Sequence, residues 1–257
     1  MNLIDSFDNS WHPIIHLLYQ EPLKSLNEKI LPNISFQPAR ENIFKVFSMP
    51  LQDIKVVIIG QDPYPTPNTA IGRVFAVSKE TKIPPSLKVI QQEIANESVL
   101  DIKNEQDREE LLEIRKLFME VSPIWRTLEH LEKQGVFLIN AALTVETGKI
   151  GSHLRYWENF TARLVSFIST KKPCIWLLWG RKAQKYKNYI QNPFYVVGYN
   201  RETIKQIPAN PYKNYILQAP HPAAEIYSNG NAGFYGCNHF LYVNTILERL
   251  KSRIITW

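Results

Sequence analysis

The sequence predicts an α/β protein of three layers, a short and mainly parallel sheet of four to five strands between two layers of helix. Five brief runs of apolar, largely β-branched residues recur: Val56–Ile59, Val136–Ile139, Cys174–Leu178, Phe194–Val197 and Tyr215–Leu217. Apolarity that is continuous over four or five residues fits strands covered on both faces, as in a parallel sheet. Between the runs lie stretches with helical spacing, and strand alternating with helix is the order of an α/β domain.

Taken along the chain, Trp11 to Leu31 reads as mostly helical and precedes the first run. Leu87, Ile90 and Ile94 then step by three and four residues, as do Phe160, Leu164 and Phe167 after the second run, each marking one apolar helix face. Asp101 to Glu120 is dense in charge, lacks Gly and Pro, and reads as a solvated amphipathic helical insertion packing Leu111, Ile114 and Phe118 inward. Repeats, low-complexity tracts and Gly/Ser linkers are absent, so residues 1–257 are expected to form one domain.

Composition narrows the class. With 44% hydrophobic and 21% charged residues, the chain is neither disordered, collagen-like nor a coiled coil. Cys174 and Cys237 are its two cysteines, which excludes a disulfide framework or a zinc cluster. Acidic residues in Met1–Asp8 argue against a signal peptide, and runs such as Cys174–Trp179 are far too short to span a membrane, so a soluble cytoplasmic protein is expected. Thirty Lys and Arg against 24 Asp and Glu leave a charge of +6. That favours an acidic partner such as nucleic acid, although many basic proteins bind none.

A polar cluster follows each of four apolar runs: Gly60-Gln61-Asp62-Pro63-Tyr64-Pro65, Asn140-Ala141-Ala142, Gly180-Arg181-Lys182, and Gln218-Ala219-Pro220-His221-Pro222. Groups just beyond the carboxyl ends of parallel strands converge on one crevice, so Asp62, Tyr64, Asn140 and His221 are expected to share a site. Each has an ordinary alternative. Asp62 before a proline suits a turn, Asn140 suits a buried strand end, and His221 suits a satisfied core position. Motifs for other chemistry are missing, with no G-x-G-x-x-G, G-x-S-x-G or H-E-x-x-H. Gly148–Ser152 has the wrong order for a P-loop, and Cys237-Asn238-His239 is too poor for a metal site. A cofactor-free enzyme or a binding protein remains.

Gly60-Gln61-Asp62-Pro63-Tyr64 resembles the water-activating loop of the uracil-DNA glycosylases of the ung type, and the resemblance continues over most of the chain. Ala70–Phe75 is similar to the segment bearing a uracil-stacking Phe, and Pro84-Pro85-Ser86-Leu87 to a DNA-backbone loop. Gly135–Val145 is similar to the strand bearing a uracil-reading Asn. Ser152-His153, Trp157–Thr161, Leu177–Gly180, His221-Pro222 and Gly236–Phe240 follow in the family's order.

The resemblance implies a monomeric enzyme that flips uracil out of DNA and hydrolyses its N-glycosidic bond without metal or cofactor. Asp62 would activate water and stabilise the cationic sugar, and His221 would stabilise the leaving anion. Gln61, Tyr64, Phe75 and Asn140 would bind the base. Pro84, Pro85, Ser86, Gly180, Arg181, Pro222, Ala223 and either Ile226 or Tyr227 would contact DNA. A proteinaceous DNA mimic is a further expected partner.

Three departures stand out. Pro65 occupies the place of the family's His. Arg181 and Lys182 replace a small residue after Gly180, either to hold phosphate or simply as exposed cations. After His221, Glu225 falls where an apolar residue wedges into the duplex, and a carboxylate there would be repelled by phosphates. Ile226 and Tyr227 are the alternatives. The same fold with another base specificity, or a non-catalytic DNA-binding or processivity subunit, are the competing readings; Tyr64, Asn140 and Phe75 argue against the first, Asp62 and His221 against the second.

Overall fold

The computed structural model describes residues 7–20, 24, 28, 35–100, 103–197 and 206–257. Among the described residues the strands are β1 (Phe36–Gln37), β2 (Val56–Gly60), β3 (Val136–Asn140), β4 (Val145–Glu146), β5 (Ile175–Trp179), β6 (Pro193–Tyr195) and β7 (Asn214–Ala219). The longer helices are α1 (His12–Gln20), α2 (Pro85–Ser98), α3 (Glu105–Val121), α4 (Leu154–Lys171) and α5 (His239–Arg249).

All five apolar runs contribute a strand to one sheet, ordered β3-β2-β5-β7-β6, and every adjacent pair is parallel. All residues of β2, β3 and β5 are buried, which is why these strands read as unbroken apolar runs. Alternate residues feed two cores. Val56, Ile58, Leu138, Leu177 and Leu217 pack on one face with α2 and α5. Val57, Ile59, Phe137, Trp176 and Ile216 pack on the other with Trp11, Ile14 and α4. The period of two along each strand thus builds three layers.

The helices form for local reasons. Pro85 at the first turn of α2 supplies a preset φ, and Leu87, Ile90 and Ile94 lie buried beneath it. In α4, Trp157, Phe160, Leu164 and Ile168 form the buried stripe. Of the N-terminal helical stretch, α1 is present, whereas 21–23, 25–27 and 29–31 lie outside the described residues, as do 101–102 of the charged insertion.

Two expectations are corrected and a third point is new. In α3, Ile114 and Phe118 are 55% and 57% exposed, and Leu111 is exposed as well, so this stripe does not pack inward. Met119 is buried and Leu112, Arg115 and Lys116 are half-buried instead. Rows 111/114/118 and 112/115/119 have the same helical spacing, so periodicity could not tell which one meets α2. The fourth apolar run shortens to β6, leaving Val197 exposed. The third is an addition, an antiparallel pair of β1 with β4, each two residues long and too short to show a period. No described helix is long and apolar enough to cross a membrane.

From β2 the chain moves out to β3 on one side and then crosses to β5 on the other. The connections diverge at the carboxyl ends of β2 and β5, which is where an open parallel sheet leaves a crevice.

Candidate active site

Parallel pairing sets Gly60 beside Asn140 at the ends of β2 and β3. A Cβ at Gly60 would lie 2.1 Å from Val74 Cγ2 and 2.8 Å from Asn140 Oδ1, so the close approach of these three residues requires glycine. Asn140 is buried, and its Oδ1 has no hydrogen-bond partner among the described residues. A buried acceptor left unpaired costs about 1–3 kcal/mol, which a ligand N–H would recover.

Beyond Gly60 the chain turns through Gln61 and Asp62. Asp62 Oδ2 accepts from the Gly151 amide and Oδ1 from Gln61 Nε2 at 3.1 Å. Burial raises the Asp62 pKa above the usual carboxylate range, opposed by these two donors and by the nearby Lys182 charge. Pro65, which brings no imidazole, accepts at its carbonyl from the Gly148 amide at 3.0 Å and so helps hold the 148–151 turn against Asp62.

Tyr64 is fixed by a 2.7 Å hydrogen bond between its hydroxyl and Ser86 Oγ, and burial pushes its pKa up to about 12. Ser86, read from sequence as a DNA contact, is buried at the start of α2 and has this second task. Phe75 adopts φ +61°, in the left-handed region that a bulky residue enters only under constraint. Its ring sits 5.7 Å from Trp179 and 5.9 Å from His221, centroid to centroid.

His221 follows β7. Its Nδ1 accepts from the Ala223 amide at 3.1 Å, and burial lowers its pKa. The neutral ring therefore carries its proton on Nε2, as a donor. Gly180 permits this placement, since a Cβ there would lie 2.9 Å from His221 Cβ.

Asp62, His221, Gln61, Tyr64, Phe75 and Asn140 all line one cavity of about 480 Å³. Of the residues expected to touch DNA, Pro85, Ser86, Ala223, Ile226 and Tyr227 line it too, whereas Pro84, Gly180, Arg181 and Pro222 do not. Gly180 backs His221, Pro222 is buried, and Arg181 is exposed. A larger depression of about 860 Å³ lies near the strand starts, beside Lys55 and Gly135, and holds none of these groups.

Sequence reasoning missed Gly151, whose amide binds Asp62, and Arg73. The available signal for Gly151 is the pair of glycines, Gly148 and Gly151, in a segment whose order does not fit a P-loop. Arg73 lines the cavity wall with its side chain buried, and its Nε donates to Glu132 at 2.7 Å. Among the described residues, Glu93, Glu97 and Cys237 lie at metal-ligand spacing. None of them lines the cavity, and both carboxylates already accept backbone amides, Glu93 from Gly236 and Asn238 and Glu97 from Phe240 and Leu241.

Residues 48–250 match the model of the uracil DNA glycosylase superfamily. The chain is 36% identical over 247 residues to a uracil-DNA glycosylase of Buchnera aphidicola, covering 95% of this chain and 90% of that protein. It is 29% identical over 261 residues to one from Fusobacterium nucleatum, covering 99% and 97%. Among solved structures, mimivirus uracil-DNA glycosylase superposes with a TM-score of 0.74 at 24% identity, covering 100% of this chain and 89% of that one. A variant of the mimivirus protein, solved in complex with UGI, superposes with a TM-score of 0.75. By the extent of the family match and the identity to these relatives, the chain belongs to the uracil DNA glycosylase superfamily.

Proposed function

We propose that this protein is a uracil-DNA glycosylase, which hydrolyses the bond between uracil N1 and the deoxyribose and so opens base-excision repair. The observation that carries this is the pairing, in one cavity, of the unpartnered Asn140 Oδ1 with the Nε2–H of a neutral His221. Uracil offers an N3–H donor between two carbonyl acceptors, which is the complementary pattern. Cytosine lacks that N3–H, so it leaves the Asn140 acceptor unpaired.

The bond and the base edge are inaccessible in a stacked duplex, so the nucleotide must be extruded. Phe75, held against Trp179, stacks on the extruded ring. Tyr64, pinned by Ser86, lies against C5 and excludes the thymine methyl. As the C1′–N1 bond breaks, the electron pair leaves with uracil, and the His221 Nε2–H bond to O2 strengthens as charge collects there. Asp62 stabilises the cationic sugar and takes a proton from the water that adds to C1′. Each step uses side chains and water, so the reaction as proposed calls on no metal or cofactor.

Tyr227, 88% exposed against 45% for Ile226, is the residue we assign as the wedge filling the space left by the base. We read residues 1–257 as one monomeric, cytoplasmic unit. A proteinaceous DNA mimic is the second partner class, and the mimivirus complex with UGI is consistent with it. Free-base release from oligonucleotides carrying one uracil, with matched cytosine and thymine controls in EDTA, tests the proposal. Uracil alone is expected. Release of another base, or none while DNA still binds, overturns it.

A further inference from the structure

Glu225 stands where sequence counting would put a residue that enters the duplex, yet its side chain points into the protein and is 2% exposed. Its carboxylate accepts from the backbone amides of Ala232 at 3.0 Å, Tyr235 at 2.9 Å and Phe234. Its own carbonyl accepts from the Gly230 amide at 2.8 Å. Burial pushes the Glu225 pKa up, but the amide donors, Gly233 among them, outweigh it and leave it below the usual range. The group is thus a fixed anion.

The segment it grips is anchored at its far end by the buried Phe234 ring, and its near end is rich in conformationally permissive residues. Asn229, Gly230 and Gly233 all take positive φ, and no described residue comes within 4 Å of where a Cβ of Gly230 would be. A chain so rich in permissive residues is held only where something ties it down. Glu225 ties it at three amides, those of Ala232, Phe234 and Tyr235. The Phe234 ring packs 5.1 Å from Trp179, the residue behind Phe75. One carboxylate therefore links the base-stacking wall to the one-turn helix Ala224–Tyr227.

We propose that Glu225 is a positioning residue for action on duplex DNA: its carboxylate clasps residues 232–235 and so holds the Ala224–Tyr227 turn, with Tyr227 outermost, at the rim of the cavity. This rests on reading the turn that carries Ile226 and Tyr227 as the element that enters the duplex. Single-stranded substrate has no stacked duplex to open, so the clasp matters less there.

Uracil release is measured on duplex and single-stranded oligonucleotides for the parent, Glu225→Gln, Tyr227→Ala and the double variant. In Glu225→Gln one acceptor oxygen becomes an NH2 facing backbone donors. The ratio of duplex to single-strand kcat/KM is expected to fall about tenfold in each single variant, and no further in the double. An unchanged ratio in Glu225→Gln, an equal loss on both substrates, or losses that multiply in the double variant would each overturn the clasp. If Tyr227→Ala leaves the ratio unchanged while Glu225→Gln lowers it, the wedge assignment fails and the clasp stands, acting through Ile226. Activity on single strands reports that the cavity has folded. Should Glu225→Gln not fold, Glu225→Asp keeps the charge with a shorter reach, and the same ratio, falling less, decides.

Discussion

Asp62 and Glu225 are both carboxylates in loops leaving the carboxyl ends of parallel strands, and their surroundings push them in opposite directions. Asp62 receives one backbone amide and one side-chain amide, too few to offset its burial, so it holds a proton more readily than an ordinary aspartate. Glu225 receives a fan of backbone amides and remains an anion. The balance between burial and the donors around a carboxylate separates a group able to exchange a proton with water from one that serves as a rivet.

That contrast breaks most sharply at Asp62. Asp62→Asn is expected to lower turnover by about a thousandfold with DNA binding retained, the scale of losing a general base. In the parent, activity should fall as pH drops, with a midpoint above the usual aspartate value, because the protonated acid cannot accept from water. A pH–rate profile with an ordinary aspartate midpoint would place the working carboxylate elsewhere. Asn140→Ala removes a donor and acceptor used by the base and should cost about a hundredfold in uracil release.

Gly60→Ala addresses the packing that brings Asn140 to the cavity. Overlap with Val74 and Asn140 should destabilise the fold by about 1–3 kcal/mol in denaturant titration. A smaller change would mean that the strand ends yield easily.

Stability against pH sharpens the comparison from the structural side. Burial and the neighbouring Glu93 push Glu97 up to about 9, from 4.5. A raised carboxyl favours the folded state fully below its unfolded value, and the benefit drains away as pH climbs towards 9. Glu225 has the opposite sign, so its contribution is present above 4.5 and disappears as pH falls through its lowered value. The melting temperature should therefore drop on both flanks. Glu97→Gln should flatten the alkaline flank and Glu225→Gln the acid one. At the bottom of the scale, Ile114→Ser on the exposed face of α3 should shift stability by no more than about 0.5 kcal/mol.

The strands and the cavity were legible because both follow from chain order. Val56–Ile59 and Val136–Ile139 are apolar throughout, and the polar residues immediately after them land at one sheet edge. What escaped lies in contacts between segments far apart in sequence. Asp62 is bound by Gly151, 89 residues on, and neither residue type announces the pair. Tyr64 is oriented by Ser86, and α3 turns its Met119 row inward although its Leu111 row has the same period. Periodicity marks a face, and only the neighbour decides whether that face is covered. The wedge loop was least legible because its shape comes from Glu225 folding inward, against the register that counting from His221 sets.

The place of β2 inside the sheet, hydrogen-bonded to β3 on one side and β5 on the other, has a consequence for how the enzyme fails. The buried amides of Val57 to Ile59 alternate between the two flanking strands, so with those of β5 they should be among the slowest in the molecule to take up deuterium and should exchange by global unfolding. The exposed tip at 229–231 sits outside that ladder and beyond the Glu225 clasp, and should exchange early. On warming, the enzyme would therefore lose its grip on duplex DNA before it loses the ability to cut a uracil already presented to it, so duplex activity would fade first and single-strand activity would persist until the sheet itself melts.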